Sequence, residues 1–67
     1  MRYQVIFQCK ARAPSGAVAN LAPGAYDVTG DKPDSLAVRL RKGSREIEVS
    51  YTEFQRLQAT GALKRLS

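Results

Sequence analysis

The 67-residue chain has no histidine, no tryptophan and a single cysteine, Cys9. Each absence closes off a class of chemistry. Without histidine the commonest general acid–base side chain is missing, and neither a Cys/His nor a four-cysteine zinc site can be assembled. One thiol makes no intramolecular disulfide. At this size, near the lower limit for unaided folding, cohesion must come from a small apolar core, with homo-oligomerisation as the available help. No apolar run approaches the length of a membrane-spanning helix, and the opening "MRYQVIFQCKAR" lacks the apolar stretch of a signal peptide. The expectation is a single small cytoplasmic domain over residues 1–67, with no membrane partner, no cofactor and no metal. In that compartment Cys9 stays reduced.

Basic charge is what the chain does have: eleven lysines and arginines against six acids, a formal net charge of +5. Such an excess favours polyanionic partners but does not specify a fold. It is unevenly spread. Residues 1–12 carry Arg2, Lys10 and Arg12 with no acid, residues 13–38 set Asp27, Asp31 and Asp34 against Lys32, and the remaining basic residues follow Val38.

Periodicity gives a mainly β fold with one short C-terminal helix. "YQVIFQCKA" alternates, with Tyr3, Val5, Phe7, Cys9 and Ala11 on one face, and reads as one half-buried strand broken only by Ile6 on its polar face. Residues 13–24, with two prolines and two glycines, read as a long irregular loop. "AYDVT" predicts a short strand with Tyr26 and Val28 inward, and "GDKPDS" is turn chemistry. "LAVRLR" and "EIEVSY" alternate around a loop placed at Lys42-Gly43-Ser44-Arg45. The facing pairs are then Arg41–Glu46, Leu40–Ile47, Arg39–Glu48, Val38–Val49 and Leu36–Tyr51; a one-residue slip would turn one core face outward. This register matches Arg39 and Arg41 to carboxylates and leaves Lys42 and Arg45 free at the tip. Thr52 with Gln55 fits a capping box, so a helix is expected over 53–60, closed by Gly61. "ALKRL" is either a tail or a last strand. The sum is a small, strongly bent antiparallel sheet of the partly open SH3-like or OB-like barrel type.

Few residues offer chemistry. Glu46 and Glu48 face arginines across the hairpin, which is not the setting of a catalytic acid. Cys9 on an inward face reads as a small apolar residue, and the three aspartates of "DVTGDKPD" lack the calcium-loop pattern. The expected role is therefore non-catalytic: a basic binding protein contacting nucleic-acid backbone through Arg2, Lys10, Arg12, Lys42, Arg45, Arg56, Lys64 and Arg65. All five aromatics are assigned to the core, so base stacking is not expected. The alternative is a protein-interaction module, a compact regulator or inhibitor of a larger complex such as phages and mobile elements encode. It would use Ile6, Val18 and Leu21, and a first strand at a sheet edge. An oligomeric enzyme subunit is the lesser alternative.

Overall fold

Alternating apolar positions fold into seven short strands and one helix. The computed structural model describes residues 1–30, 32 and 37–66. In chain order the elements are β1 (Arg2–Val5), β2 (Cys9–Arg12), β3 (Val18–Leu21), β4 (Gly24–Thr29), β5 (Val38–Lys42), β6 (Arg45–Val49), α1 (Tyr51–Ala59) and β7 (Leu63–Arg65). Five strands form an antiparallel sheet in the order β6-β5-β4-β1-β7, and β2 pairs with β3 as a separate two-stranded ribbon. The fold is mainly β with one short helix, and the sheet is open, with β6 and β7 as its edges.

One face of each element is apolar, and these faces meet. Tyr3, Val5, Tyr26, Val28, Val38, Leu40, Ile47, Val49 and Leu63 from the sheet pack with Ala11 and Leu21 from the ribbon and Phe54 and Leu57 from the helix. Ribbon and helix thus cover the inner face of the sheet. Tyr3 and Phe54 meet edge-on, with ring centroids 5.1 Å apart, a geometry worth about 0.5–1.5 kcal/mol beyond area burial.

The β5–β6 hairpin has the register that parity requires: Val38 faces Val49, Arg39 faces Glu48, Leu40 faces Ile47 and Arg41 faces Glu46. Its connection is tighter than expected. Lys42 pairs with Arg45, leaving a two-residue turn whose first position, Gly43, has φ +61°, as a type II′ turn demands. Leu36, Asp31 and Asp34 lie outside the described residues, so the Leu36–Tyr51 pairing and the aspartate turn do so too.

Four expectations need correction. The first strand is two strands: the chain bends at residues 6–8 to leave the sheet and enter the ribbon. Phe7 is consequently 50% exposed rather than buried. Within the loop expected over residues 13–24, β3 forms, because Ala19 and Leu21 turn inward opposite Ala11 and Cys9. The first half of the expected edge strand is not an edge, since β1 lies between β4 and β7, whereas its second half, β2, has β3 as its one strand partner. Finally, the helix starts two residues early. Ser50 is its N-cap, with Oγ accepting from the Glu53 N–H at 3.1 Å, and Tyr51 is its first residue instead of a strand residue. At the other end Gly61 N–H donates to Gln58 O and Ala62 N–H to Leu57 O, the Schellman pattern. That turn delivers "ALKRL" back to β1 as strand β7, with Gln4 facing Lys64 and Val5 facing Leu63.

Candidate nucleic-acid interface

The outward face of the ribbon follows from its pairing. Lys10 faces Asn20 and Arg12 faces Val18, and all four residues are exposed. The opposite face carries Ala11 and Leu21 into the core, with Cys9 and Ala19 half-buried beside them. Pleat alternation therefore separates a polar, basic outer surface from an apolar inner one.

On the β2 side, the helix start holds the strand. Ser50 N–H donates to Arg12 O at 3.3 Å, and Arg12 N–H donates to Glu53 Oε2 at 2.7 Å. Ser50 and Glu53 have capping-box spacing. Here, however, the glutamate reaches across to the strand instead of back to its own cap. The second carboxylate oxygen accepts from Arg56 Nε, and the Arg56 guanidinium also lies 3.5 Å from Lys10 O. Bonding to Arg56 holds the Glu53 carboxyl below the usual range, with the Arg12 N–H helping and partial burial opposing. Two adjoining surface depressions lie here, one lined by Arg12, Ser50, Thr52, Glu53 and Arg56, the other by Lys10, Arg12, Val18, Glu53 and Arg56 among others.

On the β3 side, the tip of the β5–β6 hairpin folds over. Arg45 Nη2 donates to Asn20 O at 3.1 Å, and Lys42 Nζ donates to Pro23 O at 3.0 Å while standing 5.7 Å above the Tyr26 ring. The lysine needs Gly24 to get there. A Cβ at Gly24 would sit 2.5 Å from Lys42 Nζ, and its φ of +141° is itself a glycine conformation. Lys42 and Arg45 are thus not free at a loop tip, as the hairpin alone suggested. Arg45 docks on the β3 side of the ribbon and Lys42 on Pro23 just beyond it, and both acceptors are neutral carbonyls.

The eight cations singled out in the sequence divide three ways. Lys10 and Arg12 on the ribbon come together with Arg56 on one flank and with Lys42 and Arg45 on the other. Arg2 belongs elsewhere. Across the outer face of the sheet the register lines up Arg2, Asp27, Arg41 and Glu46, a row of alternating charge in which Arg2 and Asp27 approach to 3.7 Å. Arg39 and Glu48 pair beside it at 4.0 Å. Exposed pairs of this kind add little stability, about 0–1 kcal/mol each, but they offset most of the charge of that face, on which Lys64 also stands opposite Gln4. Lys64 and Arg65 lie on edge strand β7, apart from the ribbon.

For the alternative interaction set, Ile6 is 46% and Val18 57% exposed, whereas Leu21 is 0% exposed and is a core residue unavailable to a partner. The inward phase of β3 is the reason. Cys9 is half-buried, and burial raises its thiol pKa, with the Arg56 charge opposing, so thiolate is scarce at neutral pH. Asn20 was missed in the sequence. Its signal was the alternation Val18-Ala19-Asn20-Leu21, obscured by the small alanine at an inward position. No family model matches the chain, and neither a curated protein nor a solved structure matches it.

Proposed function

We propose that this chain is a non-catalytic nucleic-acid-binding domain that grips phosphate backbone with the cations gathered on and around the β2–β3 ribbon. One observation carries the reading: Lys10 and Arg12 on the ribbon, Arg56 bonded to Lys10 O, Arg45 bonded to Asn20 O and Lys42 bonded to Pro23 O just past β3 gather from three separate stretches of sequence on and beside the ribbon. Glu53 is the acid bonded within that group, whereas the charges of the sheet's outer face alternate in sign. Clustered lysines and arginines on an extended surface release counterions when they meet phosphates.

The test is fluorescence anisotropy of a labelled DNA duplex titrated at several salt concentrations. Five phosphate contacts would give a log–log slope near −4.5, and the carbonyl and Glu53 bonds already made reduce it to between about −2 and −4.5. Replacing Lys10 and Arg12 together by alanine should flatten the slope by roughly 2. An unchanged slope in that double variant excludes the ribbon as the contact surface.

A protein-interaction role is the second reading, supported by adjacent Ile6 and Phe7, 46% and 50% exposed at the bend between sheet and ribbon. Ile6→Asp would then break a pull-down without unfolding the chain.

A further inference from the structure

Given the phosphate-gripping reading on which it rests, we infer that the occupant is B-form duplex DNA, with the β2–β3 ribbon entering the major groove and Asn20 reaching base edges between the phosphate-bound cations. Three observations lead there.

The first is the distribution of charge. Cations lie on both flanks of the ribbon: beyond β2 Arg56, which is ion-paired with Glu53, and beyond β3 Arg45, with Lys42 next to it on Pro23. A single strand offers one line of phosphates. A groove offers two, one along each wall, and matches cations on both sides of an inserted element.

The second is size. Two antiparallel strands about 4.8 Å apart, side chains included, fill a width close to the 12 Å of the B-DNA major groove, which admits a two-stranded ribbon. Four residues per strand span roughly 13 Å, enough to follow a few base pairs. The deep, narrow major groove of A-form RNA does not admit such an element.

The third is the chemistry of the outward face: Lys10, Arg12, Val18 and Asn20. No aromatic side chain stands on it for base stacking, which single-strand binders use. The face instead offers the side-chain types that read base edges. An asparagine amide such as that of Asn20 pairs bidentately with adenine, and an apolar group such as Val18 meets the thymine methyl. The Asn20 backbone carbonyl is occupied by Arg45, which fixes the strand at this residue while its exposed side chain points outward.

The experiment compares anisotropy titrations of one sequence as DNA duplex, RNA duplex and single-stranded DNA, then challenges the DNA complex with methyl green in the major groove or netropsin in the minor groove. Groove entry predicts DNA-duplex binding about tenfold tighter than either other form, displacement by methyl green and none by netropsin. Over a panel of duplexes differing at single base pairs, Asn20→Ala should flatten the spread of affinities while leaving their mean within about twofold. Equal binding to all three forms without methyl green competition overturns groove entry but leaves phosphate gripping intact. So does tighter binding to the single strand. Absence of binding to any form at low salt overturns both.

Discussion

Glu53 links two elements with one carboxylate, accepting from the Arg12 N–H of β2 and from Arg56 on its own helix. A charge-assisted bond of this kind contributes on the order of 1 kcal/mol or more. Because its pKa is depressed in the folded state, its contribution is present in full above the unfolded carboxyl value of about 4.3. It is lost as pH falls through the lower folded value. Glu53→Ala should therefore lower the melting temperature by about 4–8 °C at neutral pH. The gap to wild type should close as pH falls from the unfolded carboxyl value through the lower folded one, where Glu53 protonates. Differential scanning calorimetry across that range measures it; a gap independent of pH would show that the carboxylate charge is irrelevant. The Ser50–Glu53 spacing was legible in the sequence. Tyr51, however, continues the alternation of β6 and reads as strand, which favours Thr52–Gln55 as the cap.

Among elements, legibility followed how clearly parity was written. In β5 and β6, Val, Leu and Ile alternate with charged residues, so only one register buries the apolar set, and the sequence alone identified the facing pairs. The break between β1 and β2 left no such trace. Tyr3, Val5, Cys9 and Ala11 all fall on odd positions, so the inward phase resumes unchanged after the bend, and Ile6 on the polar face was the one visible irregularity. In β3 the inward pair is Ala19 and Leu21, too weak an alternation to stand out between prolines and glycines. The distinction has measurable weight. Leu21→Ala, at 0% exposure, removes a core side chain and should cost about 2–5 kcal/mol, most of what a domain this small possesses. Val18→Ala, three residues earlier on the outward face, should stay within about 0.5 kcal/mol of wild type. Urea denaturation midpoints compare them, and equal midpoints would contradict the assigned phase of β3.

For the whole molecule, composition announced the excess of positive charge but not where it gathers. Lys10 and Arg12 are near neighbours in sequence, while Lys42 and Arg45 reach them only because the β5–β6 hairpin tip packs on the β3 side of the ribbon. Arg56 joins because Ser50 and Glu53 bind the helix to Arg12. Such convergence depends on tertiary packing, which no local pattern encodes. The same packing puts Arg2 into a balanced row with Asp27, Arg41 and Glu46. Charge is thus sorted by surface: alternating on the sheet, predominantly positive around the ribbon. On the proposed function the ribbon, not the sheet, meets nucleic acid. Amide chemical-shift mapping by NMR during titration with a short DNA duplex tests it most directly. Shifts should concentrate at Lys10, Arg12, Val18, Asn20, Arg45 and Arg56, with Arg39, Arg41 and Glu48 unmoved. Shifts centred on the outer face of the sheet, or none at saturating duplex, would contradict it.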